Sequence, residues 1–368
     1  MKKSVLLYSI FIFSFSLYGQ VSKTLVLPDY DYKQTVGTTT YYLSDKSRAD
    51  IASPEKYHRE ISIQLWYPAI KDNKAKKAHY INQFKEYSTL VGTVYNDRFP
   101  RVDNQVSFDL KIKNKNHPYP VVFFSPGFGM SKSYYTSLYK FLVNQGYIVV
   151  SIDHTYLNKT VSKNGKAINP SNGYWDSFPA TKSPKDPEKA TEELLFAYNY
   201  FSQDLEFVFS QLKKINENDP KGIFNNSFDL NNIASLGHSG GAIATKGAMM
   251  KENNSFKAYV TYDVRLDREY LSATKWVEIP NKTKSPILMF NLEYVQQYKP
   301  FPNEQFIMNH KNDFVYAALK GMNHSSLSDL DYLKHLDKND SVKLEKTKKD
   351  MLRIFQTTTI FLDSHLKK

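Results

Sequence analysis

The chain has 368 residues, 41% of them apolar, so it can build one large α/β domain or two smaller ones, and its composition excludes a disordered chain. It contains no cysteine, which excludes disulfides, thiolate metal sites and a lipid anchor attached to cysteine. The net charge of +12 comes with scattered lysines and no arginine- and aromatic-rich module, so we expect no nucleic-acid partner, although weak association with anionic membrane surfaces stays open.

Residues 1–19 have the pattern of a secretory signal peptide. Lys2 and Lys3 supply the positive end, residues 5–17 supply an apolar run, and Gly19 is a small residue suited to cleavage. The run is short for a membrane span, and a retained anchor is the alternative. We therefore expect a soluble protein that is secreted or periplasmic.

The first half of the mature chain contains strand patterns with one helix pattern between them. Residues 21–54 are rich in Tyr and Thr and are expected to wrap the domain edge, whereas residues 61–68 alternate apolar and polar side chains as a strand does. The pattern then predicts a buried strand at 120–125, a helix at 131–146 and another strand at 147–152. Strand, helix and strand in this order predict a parallel sheet.

Residues 155–189 form a long polar segment that contains the aromatic residues Tyr174, Trp175 and Phe178. A connection of this length is uncommon in a compact domain unless it covers a functional site. The segment also follows a strand whose carboxyl end should face the site. We expect a lid-like insertion, with a surface excursion that packs elsewhere as the alternative.

The second half continues the α/β pattern. Its predicted elements are a long amphipathic helix at 192–215, strands at 258–262, 287–291 and 314–319, and a final helix at 343–366. We see no internal repeat and no linker between domains. Residues 20–368 are therefore expected to form a single catalytic domain with a mostly parallel central sheet flanked by helices.

Residues 237–241 read Gly-His-Ser-Gly-Gly and lie between a short apolar strand pattern and a run typical of a helix start. Gly-x-Ser-x-Gly in this context is the nucleophile elbow of α/β-hydrolases. The glycines leave room for neighbouring backbone at a tight turn, and Ser239 would present its hydroxyl at the apex. An ordinary Gly/Ser turn is the alternative, but the context favours Ser239 as a catalytic nucleophile.

A serine nucleophile needs a base and an acid that orients the base, and in this fold the chain order is Ser, then Asp or Glu, then His. Asp263 directly follows a predicted strand, where a carboxylate points into the crevice at the carboxyl edge of the sheet. Asp267 lies one turn later and is the rival, with a surface pairing to a nearby arginine as its other interpretation. The sequence favours Asp263.

His324 is the favoured base because it follows the strand at 314–319, comes after Asp263 and precedes the last helix. His238 is expected to pack inside the elbow. His154, at the end of a strand, is expected to line the cleft without acting as the base. The remaining histidines that we weighed precede the nucleophile or fall in helical patterns: His58, His79, His117, His335 and His365.

The negative charge that develops on a carbonyl oxygen under attack needs hydrogen-bond donors. In this fold one donor is the backbone N–H after the nucleophile, here Gly240, and the other comes from an early strand-to-helix loop. Residues 126–129 read Pro-Gly-Phe-Gly and form such a loop, so Phe128 is assigned as the second donor. An ordinary glycine turn is the alternative.

Together these motifs resemble the platelet-activating factor acetylhydrolase family of the plasma, lipoprotein-associated type. The resemblance extends from about residue 61 to the end and rests on residues 64–69, 124–129 and 146–150, Asp153, His154, the helix from Glu192, residues 237–242, Asp263 and His324. It implies an α/β-hydrolase fold and a serine esterase without metal or cofactor. It also implies cleavage of short or oxidised acyl groups from phospholipids, so the expected partner is a phospholipid or small-molecule ester.

Two positions depart from the family pattern. The family usually has His before its oxyanion glycine, where this chain has Ser125-Pro126, and typically Phe after the nucleophile, where this chain has Gly240. A backbone donor survives both changes, but the acyl pocket would lose an aromatic wall. A general carboxylesterase or a dienelactone-hydrolase-like activity therefore becomes an alternative.

Two further classes of protein fit the same fold. A serine peptidase or amidase could use the same three side chains, although no repeat suggests the propeller that a prolyl-type peptidase usually carries. A non-catalytic binding protein would be expected to have lost part of the triad, yet Ser239, Asp263 and His324 are all present.

Overall fold

The computed structural model describes residues 23–52, 57–114, 117–170, 177, 186–252, 255–266, 268–270, 276–292 and 314–367. The predicted signal peptide lies outside the described residues, and so do the rival acid Asp267 and the aromatic residues Tyr174, Trp175 and Phe178 of the expected lid. Within these ranges, no helix has the length and apolar character needed to cross a bilayer.

The elements of the described residues are numbered in chain order. The strands are β1 Leu25–Val26, β2 Thr35–Ala49, β3 His58–Ala69, β4 Val102–Asp103, β5 Ser107–Phe108, β6 Tyr119–Ser125, β7 Ile148–His154, β8 Thr160–Val161, β9 Ala167–Ile168, β10 Phe228–His238, β11 Ala258–Tyr262, β12 Arg268–Tyr270, β13 Trp276–Glu278, β14 Ile287–Asn291 and β15 Phe314–Ala318. The α-helices are α1 Phe84–Tyr87, α2 Thr93–Arg98, α3 Thr136–Asn144, α4 Pro187–Glu217, α5 Ala242–Met249, α6 Asp329–Asp337 and α7 Ser341–Leu366.

Nine strands form the central sheet, in the order β15-β14-β11-β10-β6-β7-β3-β2-β5. Neighbouring strands are parallel except at β3, which runs antiparallel to both β2 and β7. Shorter two-stranded pairs lie outside it. The predicted α/β class with a mostly parallel sheet is confirmed.

Residues 21–54, expected to wrap the domain edge, include strand β2 near the edge of the central sheet, which the sequence did not predict. Residues 35–45 pair with β3 along a continuous antiparallel register and form part of the central sheet. Residues 36–39 are all buried, so this part of the strand is covered on both faces. The alternation of apolar and polar residues that marks a half-exposed strand is therefore missing there.

The central strands are covered on both faces. In β6, Val122 and Phe124 pack into one apolar cluster, which includes side chains of α3 and α7. Val121 and Phe123 point the other way into a second cluster, which includes side chains of α4 and α5. This explains why β6 reads as a continuous apolar run, and it places the carboxyl ends of the parallel strands in one row between two helical layers.

Helix α4 starts five residues earlier than predicted, at Pro187. Asp186 caps it, because its carboxylate accepts hydrogen bonds from the N–H groups of Glu188 and Lys189 over 3.0 and 3.2 Å. Helix α5 packs directly on α4, since a Cβ added at Gly247 would overlap the carbonyl of Tyr198. The helix that follows the predicted elbow is thus fixed against the longest helix of the described chain.

Candidate active site

Ser239 stands at a tight turn between β10 and α5. It has a positive φ of 50°, a strained conformation for a residue other than glycine. The turn needs glycine on both sides: a Cβ at Gly237 would lie 2.7 Å from Cα of Ala242, and one at Gly241 would overlap the carbonyl of Ser125. These close approaches are the physical reason for the Gly-x-Ser-x-Gly spacing.

Asp263 directly follows β11 at the same edge of the sheet. Its φ is 51°, and its N–H donates to the carbonyl of Phe290 over 3.0 Å. The side chain is fully buried, and Oδ1 accepts a hydrogen bond from the N–H of Leu292 over 2.8 Å. One carboxylate oxygen is thus held by the end of β14, which aims the other oxygen into the site.

His324 connects the other two residues. Its Nδ1 lies 2.7 Å from Oδ2 of Asp263, and its Nε2 lies 2.7 Å from Oγ of Ser239. Because a carboxylate only accepts hydrogen bonds, Nδ1 carries the proton, and the free pair on Nε2 faces the serine hydroxyl. The structure brings together the three residues that the sequence singled out, in the geometry of a nucleophile, a base and an orienting acid.

His238 does more than pack inside the elbow. Its Nε2 lies 2.9 Å from the main-chain oxygen of His324, so Nε2 must carry a proton, and Nδ1 accepts from the hydroxyl of Tyr135 over 2.8 Å. Burial, and secondly the nearby His324, lower the pKa of His238 to about 3. The His238 ring is therefore neutral, has a fixed tautomer, and connects Tyr135 to the backbone of His324.

The two predicted oxyanion donors lie side by side. A Cβ added at Gly240 would come within 2.6 Å of Cβ and 2.9 Å of the backbone N of Phe128. Residue 240 must therefore be glycine for the loop of residues 126–129 to approach the elbow this closely. This contact gives a physical reason for the departure from the family's Phe at this position.

A second Ser–His–Asp arrangement lies behind that loop. Ser125 Oγ is 2.9 Å from Nε2 of His154, whose Nδ1 is 2.8 Å from Oδ2 of Asp204. Asp204 also receives two hydrogen bonds from the buried Arg59. Burial alone would raise the pKa of the Asp204 carboxyl, but the charge of Arg59 and the hydrogen bonds from His154 and Arg59 hold it below its usual range. All four side chains have no exposed surface. The expectation that His154 lines the cleft is therefore wrong: Ser125, Asp204 and the surrounding core enclose it.

Three of the other histidines belong to strand β3 and to helices α6 and α7. His58 starts β3, and His335 and His365 lie in α6 and α7, as their helical patterns predicted. Across the described ranges, no group of three or more His, Asp or Glu side chains is placed to hold a metal ion.

Sequence reasoning missed two polar residues near the site, Tyr135 and Asn158. Tyr135 Oη accepts from the N–H of Gly127 over 3.1 Å, and Asn158 donates to the carbonyls of Pro126 and Gly127. In the predicted helix 131–146, Tyr135 shares an apolar stripe with Leu138, Phe141 and Leu142, which predicts a buried position but not the partners of its hydroxyl. Asn158 belongs to the polar segment after β7, where nothing local distinguishes it from a surface residue.

Comparisons with known proteins agree on one fold. The family model described as platelet-activating factor acetylhydrolase, isoform II, matches residues 20–367. The platelet-activating factor acetylhydrolase of Cavia porcellus is 22% identical over 296 residues, which cover 73% of this chain and 64% of that relative, so the chain spans just under two thirds of its length. A ferulic acid esterase from Streptomyces cinnamoneus superimposes with a TM-score of 0.65 at 20% identity over 94% of both chains, which confirms the predicted α/β-hydrolase fold.

Proposed function

The chain belongs to the platelet-activating factor acetylhydrolase family, isoform II, and we propose that it is a serine esterase that hydrolyses carboxylic esters with a short acyl chain. The proposed substrates are small soluble esters and phospholipids with a short acyl group at the sn-2 position. The observation that carries the proposal is His324, which lies 2.7 Å from both Ser239 and Asp263. This geometry supports a serine nucleophile with its own base, the arrangement that acyl transfer requires.

In the proposed acylation step, Oγ of Ser239 attacks the ester carbonyl while Nε2 of His324 takes the hydroxyl proton. Asp263 accepts the hydrogen bond from Nδ1–H and stabilises the imidazolium that forms. When the tetrahedral intermediate collapses, the same proton passes from His324 to the leaving alcohol. The acyl group remains on Ser239 as an ester.

In the proposed deacylation step, a water molecule gives its proton to His324 and attacks the acyl-enzyme. The carboxylic acid leaves, and the proton returns to Ser239 Oγ. In both steps the oxyanion would lie between the backbone N–H groups of Gly240 and Phe128. Loss of one such donor costs about 3 kcal/mol of transition-state stabilisation in a hydrolase of this mechanism. The rate therefore depends on the direction in which both N–H groups point.

A general carboxylesterase with a broader acyl range is the second candidate, and the contact between Gly240 and Phe128 supports it. An aromatic side chain at position 240 would collide with the backbone of Phe128, so the acyl side lacks the wall that the family usually has there. Phe128 fills the space next to Gly240 itself, and we propose that the absence of the aromatic side chain further along this wall admits longer or bulkier acyl groups. Acyl length is therefore the property that separates the two candidates.

The test is a series of nitrophenyl esters from acetyl to dodecanoyl, with phospholipids that carry matched sn-2 chains, at fixed pH with and without chelator. We expect the highest turnover on acetyl to butyryl esters, no effect of chelator, and complete loss in Ser239→Ala. A preference for long chains would replace the short-acyl proposal with a lipase. Faster cleavage of peptide than of ester substrates would replace it with a peptidase, and loss of activity with chelator would remove the serine mechanism.

We also propose export from the cytoplasm and a weak association with anionic membranes. The proposals rest on the signal-peptide pattern of residues 1–19 and on the net charge of +12, which becomes 12 − 2 = +10 when Lys2 and Lys3 are removed with that segment. Mass spectrometry of the secreted or periplasmic fraction should find a chain that begins near residue 20. Sedimentation with anionic vesicles should fall as salt rises, whereas neutral vesicles should bind none of the protein.

A further inference from the structure

Asn158 lies four residues beyond β7 and is fully buried. Its Nδ2 donates hydrogen bonds to the carbonyl oxygens of Pro126 and Gly127 over 3.1 and 2.9 Å. Its Oδ1 accepts from the N–H of His154 over 2.8 Å. Since the partners are two acceptors on one side and a donor on the other, the orientation of this amide is settled by its surroundings.

Two consecutive peptide groups therefore turn their carbonyls toward Asn158. A trans peptide is planar, so its N–H points away from its C=O, and the N–H groups of Gly127 and Phe128 point away from Asn158. For Gly127 this direction is visible, because its N–H donates to Oη of Tyr135, which in turn bonds to Nδ1 of His238. The side opposite Asn158 is thus the side of the elbow.

The N–H of Phe128 belongs to the second of these peptides and points to the same side. Its nitrogen lies beside Gly240, within 2.9 Å of the place that a Cβ there would occupy. The carbonyl of Gly127 also accepts from the N–H of Met130 over 3.0 Å, across a turn with Gly129 at a φ of 71°. That turn engages one of the two carbonyls, whereas Asn158 ties both of them to the end of β7.

Residues next to Asn158 make further hydrogen bonds to the same loop. The carbonyl of Leu157 accepts from the N–H of Gly129 over 2.9 Å, and the N–H of Lys159 donates to the carbonyl of Met130 over 3.2 Å. The start of the segment expected to be a lid therefore lies under the loop of residues 126–130 and supports it.

We propose that Asn158 is the positioning residue of the oxyanion hole. It holds the carbonyls of Pro126 and Gly127 away from the reacting centre and so aims the Phe128 N–H at the oxygen of the substrate. Without the two Nδ2 bonds, only the turn bond from the N–H of Met130 holds the carbonyl of Gly127, so the peptide between Gly127 and Phe128 is less restrained and can present its carbonyl oxygen where a donor is needed. The inference rests on the proposed esterase function, and it adds the group that orients a main-chain donor.

The test compares Asn158→Ala and Asn158→Asp with the wild type and with Asn104→Ala. Asp keeps the shape and the acceptor for the N–H of His154 but removes the donating amide. Asn104 is a matched control, because it is also buried and its Oδ1 accepts a backbone N–H, that of Val106, over 3.1 Å. Folding of each variant is checked first by circular dichroism, and rates are taken well below its melting temperature.

We expect both Asn158 variants to lose about 10²-fold in kcat for nitrophenyl acetate with little change in KM, since a misaimed donor weakens the transition state alone. Affinity for a trifluoromethyl ketone, whose adduct with Ser239 carries an oxyanion, should fall in parallel with kcat. Affinity for the unreactive alcohol analogue should not change. A merely structural role would not separate these two ligands. The Asn104→Ala variant should keep the wild-type values.

Values of kcat and ketone affinity within about 3-fold of wild type in both Asn158 variants would overturn the inference while leaving the esterase proposal intact. Absence of Ser239-dependent turnover in the wild type would instead defeat the esterase proposal. In that case a crystal structure of Asn158→Ala still decides the positioning role. Rotation of the Gly127–Phe128 peptide would support it, and an unchanged peptide would overturn it.

Discussion

The Nε2–H of His238 donates to the main-chain oxygen of His324 over 2.9 Å, so the residue before the nucleophile holds the backbone of the proposed base. Tyr135 completes the path, since its hydroxyl bonds to Nδ1 of His238 and to the N–H of Gly127. The elbow, the base and the oxyanion loop are therefore joined by one series of hydrogen bonds. A change that displaces one of these three segments should therefore alter the position of the other two.

Replacement of His238 by Phe should lower kcat about 10-fold, because the buried hydrogen bonds of the ring to the backbone of His324 and to the hydroxyl of Tyr135 are both lost while an aromatic ring remains. The pH dependence of kcat should keep its midpoint, since the pKa of His238 is lowered to about 3 and the ring stays neutral at working pH. Tyr135→Phe is the matched variant at the other end of the path. A shifted midpoint in His238→Phe would show that His238 titrates during turnover.

Gly240→Ala should lose about 10²-fold in kcat, because its Cβ would lie 2.9 Å from the backbone N of Phe128 and push the loop away. The control is Gly92→Ala. Gly92 has a negative φ of −76°, and a Cβ there would meet no atom within 4 Å. Full activity in Gly240→Ala would mean that the two loops need not approach this closely for turnover.

The buried group around Asp204 should contribute stability and not catalysis. Asp204→Asn should cost about 3 to 5 kcal/mol of unfolding free energy, because it leaves the fully buried Arg59 without its charge partner. Asp97→Asn is the control. Asp97 pairs with Arg101 but its side chain is 71% exposed, so the expected loss is below about 1 kcal/mol. Urea unfolding of both variants measures the difference, and equal losses would contradict this account.

Asp329 should make the fold more stable at low pH than at high pH. Burial raises the pKa of its carboxyl to about 7 in the folded chain, against 3.8 for the ordinary group. Folding therefore favours the protonated carboxyl. The stability that this gives to the fold is lost as the pH rises through about 7.

As the pH is raised from 5 to 8, the unfolding free energy of the wild type should fall by roughly 3 kcal/mol relative to that of Asp329→Asn, because the amide is never ionised. Urea unfolding of both proteins at the two pH values provides the measurement. If the difference in unfolding free energy between Asp329→Asn and wild type were the same at both pH values, the Asp329 carboxyl would not be the source of the pH dependence.

The elbow and its partners could be predicted because each depends on local pattern and chain order. A Gly-x-Ser-x-Gly turn identifies Ser239, and the ends of predicted strands identify Asp263 and, with the last helix, His324. Asn158 could not be predicted, since it acts on carbonyls 31 and 32 residues earlier in the chain. A hydrogen bond between a loop residue and a distant turn leaves no periodicity in the sequence.

Strand β2 and His154 show the same limit for the fold. Strand β2 is buried on both faces over residues 36–39, so it lacks the alternation of a half-exposed strand. His154 was placed correctly at a strand end, but helix α4 supplies Asp204, which lies 50 residues away in sequence and encloses it. Burial by a distant helix is a tertiary property that strand-end position does not reveal.

The most direct test of the central claim is labelling with a fluorophosphonate probe followed by mass mapping of the adduct. We predict one adduct, on the peptide that contains Ser239, and no label on Ser125, which is buried beside His154. In Ser239→Ala the label should disappear, and ester turnover should fall by several orders of magnitude while the chain stays folded. Near-normal ester turnover in purified, folded Ser239→Ala would contradict the account.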